Sequence, residues 1–303
     1  MGRLKIVKNG IGRSRSDLIF DVINFVFFTL AMLVVLYPLY FIVIASISDP
    51  YKVAGGQTLL RPAGLNFEGY IRVFTNNTIL IGYRNSLFYA VFGTFINLLF
   101  TLPPAYALSR KNLAFKPSIM IYLMIPMYFG GGLIPSYILV KNLGMLDSIW
   151  SLLVPGAVSI WSIIIARSFF QSNIPEELYE SAVIDGCSHL RFFLSIVLPL
   201  SKALIAVLVL QFGLGHWNSW FSALIYISNK NLYPLQLVLR NILIVNDPVL
   251  EMIKDQAEIQ RRQRLAETLK YASIIVSSVP VLIIYPFLQK YFAKGVLIGS
   301  IKG

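Results

Sequence analysis

The stretch V-I-N-F-V-F-F-T-L-A-M-L-V-V-L-Y-P-L-Y-F-I-V-I-A-S-I-S, residues 22–48, carries no charged side chain and is mostly aliphatic or aromatic. A helix needs about 20 apolar residues to cross the hydrocarbon core of a bilayer, so this stretch is long enough to span it. A strand of a membrane barrel needs only about ten residues of alternating polarity, whereas this run is continuous. The stretch therefore predicts a transmembrane helix in an all-α integral membrane protein.

Other apolar stretches along the 303 residues meet or approach the same length. They lie at 85–109, 117–140, 148–168, 203–229 and 271–289. Together they predict six transmembrane helices in a domain over residues 22–292, between an N-terminal tail (1–21) and a C-terminal tail (293–303). The composition agrees, because 56% of the residues are hydrophobic and only 13% are charged, against roughly a quarter charged in soluble domains.

The basic excess is read differently in a membrane protein and in a soluble one. Lys and Arg number 26 against 14 Asp and Glu, which gives a net charge of +12. In a soluble chain this would suggest nucleic-acid binding. At membrane borders, basic residues set topology and meet anionic lipid, so we expect lipid contact and no nucleic acid. The basic N-terminal tail and the Arg110–Lys111 pair predict that both termini are cytoplasmic.

Several function classes lack the residues that they need. No predicted span holds Asp, Glu, Lys or Arg in its interior, which argues against ion-driven transport and intramembrane aspartyl proteolysis. His216 is better explained as a hydrogen-bonded packing residue than as a proton relay. Cys187 is the single cysteine, and no P-loop motif occurs. We therefore expect no metal, no cofactor and no catalytic residue in this chain.

The connection over residues 172–199, which is predicted to be cytoplasmic, contains clear signals for where helices begin and end. Pro175 suits the first turn of a helix, and Gly186 suits a left-handed cap at its end. Ser188 can then cap a second helix that returns to the membrane near Pro199. The residues alone leave two interpretations open: a helical turn that serves a partner, or a generic interfacial helix.

The same connection resembles a known motif. Its E-S-A-x-x-D-G-C and I-x-L-P segments are similar to the E-A-A-x-x-D-G-A and I-x-L-P loop of ABC-importer permeases. Two small residues replace the family's alanines. In that family, the loop forms a coupling helix that sits in a cleft of a separate ATPase subunit. The resemblance therefore implies ATPase coupling by Glu180, Ser181, Ala182, Asp185, Gly186, Cys187, Ile196, Leu198 and Pro199.

Shorter similarities run along most of the chain and point to the carbohydrate-uptake, MalG-like, binding-protein-dependent branch of that family. They are Asn85–Leu87, Ala105–Arg110, Leu143–Asp147, Trp217–Asn218 and the tail. The resemblance implies a six-helix ABC type I importer permease fold in the bacterial cytoplasmic membrane. It also implies three kinds of partner: a second homologous permease, two ATPase copies that hold ATP and Mg, and an extracytoplasmic sugar-binding (lipo)protein. In the tail it implies ATPase contact by Gly299, Ser300, Ile301, Lys302 and Gly303.

The expected function is ATP-driven uptake of sugars, in particular oligosaccharides. The alternatives are another solute (an amino acid, a peptide or phosphate) or an intramembrane lipid-modifying enzyme, for which the spans hold too few polar groups. Since sugars hydrogen-bond through their hydroxyls and stack on aromatic rings, the candidate substrate contacts are Trp217, Asn218, Trp220 and Tyr128. Packing or anchoring at the membrane interface is the alternative role for these side chains.

Overall fold

The computed structural model describes residues 15–244, 266 and 268–286. Over these residues the regular structure is helical, apart from one isolated β-bridge between Ser48 and Leu65. The all-α prediction is confirmed for this part of the chain. The helices are α1 Arg15–Ser46, α2 Pro50–Ala54, α3 Glu68–Thr75, α4 Asn77–Ser109, α5 Lys116–Tyr128, α6 Leu133–Asn142, α7 Trp150–Leu153, α8 Ile160–Asn173, α9 Glu176–Ile184, α10 His189–Phe192, α11 Leu198–Leu200, α12 Lys202–Trp217, α13 Phe221–Tyr226, α14 Leu235–Ile244 and α15 Thr268–Pro286.

Among the described residues, three helices are each long and apolar enough to cross a bilayer: α1, α4 and α15. They fall on the predicted spans 22–48, 85–109 and 271–289. α4 is longer than predicted at its N-terminal end, where Asn76 caps it by accepting hydrogen bonds from the N–H groups of Thr78 and Ile79. α1 buries none of its most apolar 18-residue window, so the side chains of that window face the surroundings of the chain.

Other predicted spans are broken in the structure. Residues 117–140 fall on α5 and α6, whose axes meet at 111°. The break between the two helices contains Gly130, Gly131 and Gly132. Gly132 has φ 81°, a conformation that L side chains rarely adopt. Residues 148–168 fall on α7 and α8, which are separated at Pro155 and Gly156. Hydropathy does not detect such breaks, because it measures how apolar a segment is and not whether its backbone hydrogen bonds continue.

The segment 203–229 is divided in the same way. α12 ends at Trp217, and the short α13 follows it. Before α12, the helical segment His189–Leu200 meets it at 81°. Up to five spans result if each bent pair counts as one. The six-span count therefore stays a prediction, and so does the cytoplasmic placement of both termini, because residues 1–14 and 287–303 lie outside the described part.

α4 is the central helix and packs against α8, α12 and α14. Its polar side chains bind the backbone of the segment that precedes α14. Asn85 Nδ2 donates to the carbonyls of Asn231 (2.7 Å) and Tyr233 (3.0 Å), and the Tyr89 hydroxyl donates to that of Leu232 (2.8 Å). These bonds satisfy buried polar groups that would otherwise be costly inside a membrane protein.

A second polar contact of α4 lies deeper in the spans. Asn97 Nδ2 donates to the carbonyls of Gly156 (2.6 Å) and Ala157 (3.0 Å) in the α7–α8 break. Its Oδ1 accepts from His216 Nε2 of α12 at 2.7 Å. Gly93 gives the imidazole room, since a Cβ there would lie 2.3 Å from His216 Nε2. The interpretation of His216 as a hydrogen-bonded packing residue is confirmed.

The C-terminal end of α4 packs into a cluster of buried rings that we call the aromatic base: Tyr106, Phe170, Phe192 and Phe193. The Tyr106 ring centroid lies 6.2 Å from that of Phe170 and 5.1 Å from that of Phe193. The base therefore joins α4, α8 and the segment that follows α9.

Candidate functional site

The predicted turn over residues 172–199 has the backbone that its sequence indicates. α9 begins directly after Pro175, with Glu176 in its first turn, where a carboxylate favours the positive end of the helix dipole. At its other end, Gly186 has φ 73°. The N–H of Gly186 donates to the Val183 carbonyl (3.0 Å), and that of Cys187 donates to the Ala182 carbonyl (2.9 Å). These two bonds form a Schellman motif, so the predicted left-handed cap is confirmed.

The second helix starts as predicted at Ser188, whose Oγ accepts from the Arg191 N–H at 3.4 Å. α10 then continues through a π-helical segment, Phe193–Val197, in which the Leu198 N–H donates five residues back to the Phe193 carbonyl. Pro199 has no N–H to donate, and an α-helix cannot pass through such a position with its regular hydrogen bonds. π-Helical segments occur mostly as single turns inside α-helices, and this one ends two residues before Pro199.

The nine predicted coupling residues divide into an inner and an outer set. The inner residues belong to, or pack against, the buried cluster that includes the aromatic base: Ala182, Cys187, Ile196 and Leu198. The outer residues are exposed: Glu180, Ser181, Asp185, Gly186 and Pro199. The structure thus brings the motif together as one turn, with one side on the core of the chain and the other on its surface.

Large apolar side chains stand on the exposed side of this turn. Ile184 is 85% exposed, Leu190 66% and Val183 48%. Carboxylates of Glu180 and Asp185 lie among them. Contiguous exposed apolar residues with a polar rim are typical of protein-binding surfaces.

The candidate substrate residues are not gathered in one place. Trp217 is buried, its Nε1 donates to the Ser277 carbonyl (3.1 Å), and its ring packs edge-on against Tyr83. Asn218 is exposed directly after α12, and the Arg240 guanidinium carbon lies 4.8 Å from the ring centre of Trp220. Tyr128 is 76% exposed at the end of α5. In this structure the Trp217 ring packs, and sugar contact by all four residues stays a prediction. The predicted tail residues Gly299–Gly303 lie outside the described residues.

Sequence reasoning used Arg110 to set topology and as the end of a segment that resembles the family, and it predicted no partner for the side chain. In the structure its side chain pairs with Glu176 of α9 and covers the ring of Tyr179. Arg110 and Glu176 are far apart in sequence, so local rules could not predict their contact. The only sequence signal was a basic residue directly after a predicted span.

Known proteins match this chain over most of its length. The family model described as "Binding-protein-dependent transport system inner membrane component" matches residues 77–297. The polygalacturonan/rhamnogalacturonan transport system permease protein YtcP of Bacillus subtilis (strain 168) is 37% identical over 286 residues, 94% of this chain and 99% of that protein. Protein LplC of the same organism is 37% identical over 290 residues, 96% of this chain and 97% of that protein.

A solved structure shares the fold. A chain in the crystal structure of a bacterial ABC transporter involved in the import of the acidic polysaccharide alginate has a TM-score of 0.83 and 31% identity. The match covers 92% of this chain and 98% of that chain. The relatives are transport permeases, which supports a transporter component, not an enzyme. The chain therefore belongs to the family of inner membrane components of binding-protein-dependent transport systems, the permease subunits of ABC importers.

Proposed function

We propose that this chain is one of two homologous permease subunits of an importer in the bacterial cytoplasmic membrane, and that its cargo is an oligosaccharide. An extracytoplasmic sugar-binding (lipo)protein delivers the cargo. The names of YtcP and of the alginate importer support a polysaccharide-derived cargo. Both names refer to polymers rich in uronic acids, so acidic oligosaccharides are the first class to test.

The exposed turn at Gly186 is the observation that carries the rest of the proposal. Its outer side presents Ile184 and Leu190 to the surroundings, while its inner side packs with the buried cluster that includes the aromatic base. An ATPase that binds the outer side can displace the turn without unpacking it. Two ATPase copies bind ATP and Mg, and their closure moves the turn and tilts the packed helices as a rigid body. Such a tilt opens the cargo site to one side of the membrane at a time.

The C-terminal tail adds a second contact in this proposal. Gly299, Ser300, Ile301, Lys302 and Gly303 insert between the two ATPase subunits, where small residues permit close backbone approach. Deletion of these five residues is expected to leave membrane insertion intact and to lower ATP-driven uptake. Uptake at the full rate by the truncated permease would remove the tail from the proposal.

Co-purification and transport test the whole proposal. The tagged chain is expressed with the products of its neighbouring genes, purified in detergent and reconstituted with the binding protein. We expect an ATPase and a second permease to co-purify, and labelled galacturonan or alginate oligosaccharides to stimulate ATP hydrolysis and to enter the vesicles. Neutral oligosaccharides, amino acids, peptides and phosphate are the competing cargoes. Failure of any ATPase to co-purify would contradict the proposal, and uptake of a different cargo would correct its substrate.

A further inference from the structure

Arg110 lies one residue beyond α4 and reaches across to α9. Its guanidinium forms an ion pair with Glu176, and its Cζ lies 3.8 Å from the ring centre of Tyr179. The pair is mostly sheltered, with the side chains of Arg110 and Glu176 15% and 24% exposed. A guanidinium that pairs with a carboxylate and lies on a ring at the same time is fixed in position and in orientation.

Other side chains cap the end of α4, which leaves the Arg110 side chain for α9. Arg167 Nε donates to the Leu108 carbonyl (3.2 Å), and Gln171 Nε2 donates to that of Ser109 (3.4 Å), both from α8. Lys116 Nζ donates to the Arg110 carbonyl itself (3.1 Å). The backbone end of α4 is thus held by α8 and Lys116, whereas the Arg110 side chain holds α9.

The covalent route from α9 to the spans includes an extended link. Between α8 and α9, Ile174 has φ −113° and ψ 97°, and Pro175 has φ −60° and ψ 146°. Neither residue has helical backbone angles, so α8 and α9 are not one continuous helix. A displacement of α9 is therefore not transmitted along one continuous helix, and its side-chain contact with Arg110 gives a direct route to the end of α4.

We propose that Arg110 is the positioning residue that fastens α9 to the end of α4, so that a displacement of α9 moves α4 with it. This inference rests on the proposed function, in which the ATPase displaces the turn after α9. α4 in turn packs on α8, α12 and α14, so Arg110 adds a charged contact to the apolar packing through which the turn already meets the helical bundle. Arg110 contributes to coupling, and it touches neither ATP nor cargo.

The test compares Arg110→Ala with Lys111→Ala in the reconstituted transporter. Lys111 is the matched control, because it is the next residue, carries the same charge and lines the same polar cavity beside Glu176. The readout is cargo imported per ATP hydrolysed. We expect Arg110→Ala to lower this ratio about tenfold, the scale of losing one hydrogen bond to a charged group. The ATPase should still co-purify and hydrolyse ATP, and Lys111→Ala should keep the wild-type ratio.

Two further variants separate the ion pair from the stacking. Arg110→Lys keeps the charge but loses the planar face over Tyr179, so its ratio should fall between those of wild type and Arg110→Ala. Glu176→Arg, added to Arg110→Glu, should recover part of the ratio that Arg110→Glu alone loses. A wild-type ratio in Arg110→Ala, or an equal loss in Lys111→Ala, would overturn the proposal.

Gly186→Val distinguishes failure of this inference from failure of the proposed function. If Gly186→Val abolishes uptake while Arg110→Ala keeps the ratio, the turn couples but Arg110 does not fasten it. If both variants transport normally, the proposed function itself is wrong.

Should Arg110→Ala fail to accumulate, Tyr179→Leu and Tyr179→Phe test the contact from α9. A loss confined to Tyr179→Leu supports the proposal, and equal ratios overturn it.

Discussion

Two helix ends in this chain share one backbone motif and differ in what surrounds it. At the end of α6, the N–H of Gly144 donates to the Lys141 carbonyl (3.0 Å), and that of Met145 donates to the Val140 carbonyl (3.1 Å). These are the same two bonds that close α9 around Gly186. Gly144 has φ 67° and Gly186 has φ 73°, and a Cβ would meet no atom within 4 Å at either.

The chain itself holds the α6 turn. The N–H of Asp147 donates to the Tyr226 carbonyl (2.8 Å), and Asp147 Oδ1 accepts from the N–H groups of Ser228 (2.9 Å) and Asn229 (2.7 Å). By contrast, in the part of the chain that the structure describes, the Asp185 carboxylate has no hydrogen-bond partner, and Ile184 beside it is almost fully exposed. An identical turn is therefore fixed internally at one helix end and left open for a partner at the other.

The largest expected effect separates the two glycines. Valine at either position strains a left-handed residue by about 1–2 kcal/mol, so the local cost is matched. We expect Gly186→Val to abolish uptake and to release or uncouple the ATPase, although the permease still inserts. Gly144→Val should retain uptake and ATPase binding. Uptake in vesicles and ATPase co-purification measure both, and normal uptake by Gly186→Val would contradict the coupling role of the turn.

An intermediate effect is expected from the exposed apolar side chain. Burying an isoleucine against a partner contributes about 1.5–3 kcal/mol, so Ile184→Ser should weaken ATPase binding by about tenfold or more. Leu143→Ser is the control, since Leu143 is 59% exposed at the end of α6. Titration of the purified ATPase onto each reconstituted permease gives the two affinities. Equal affinities for the two variants would mean that the ATPase does not use Ile184.

The smallest effects are expected from Asp147 and Asp185. Substitution of Asp147 should lower stability, whereas substitution of Asp185 should lower uptake. Asp147→Ala removes the acceptor of two backbone N–H groups and should lower the free energy of unfolding by about 1 kcal/mol. Asp147→Asn should restore most of this, because asparagine tolerates φ 55° and keeps an acceptor oxygen. Asp185→Ala should leave the unfolding temperature unchanged, as followed by tryptophan fluorescence in detergent, and lower uptake instead. Loss of stability in Asp185→Ala would show that its carboxylate has a structural partner.

Local rules predicted the turn well because its determinants are close in sequence. A left-handed glycine, a serine cap and a leading proline act within a few residues, so α9, Gly186 and Ser188 followed from the sequence. Three span positions followed from hydropathy for the same reason. The bends at Gly132 and Pro155 did not, because apolar composition says nothing about whether a helix is continuous.

Contacts between distant residues were out of reach of the sequence. Arg110 and Glu176 are 66 positions apart, and Asn97 and His216 are 119 positions apart. Trp217 was a candidate for sugar contact because of its ring chemistry, and no neighbouring residue indicated that its ring packs against Tyr83 and that its Nε1 donates to the Ser277 carbonyl. The type of a residue indicates which groups its side chain can bind. Which of those groups it meets depends on how the helices pack around α4.

The contact between Gly93 and His216 also limits the order in which this protein can change over generations. No side chain larger than hydrogen fits at position 93 while the imidazole occupies its place, because a Cβ would overlap the ring. A smaller residue at position 216 has to come first, and it leaves the Asn97 Oδ1 without its donor. A substitution at position 93 or at position 216 alone is therefore expected to lower the stability of the protein. Lineages that differ at both positions are expected to have passed through a less stable ancestor.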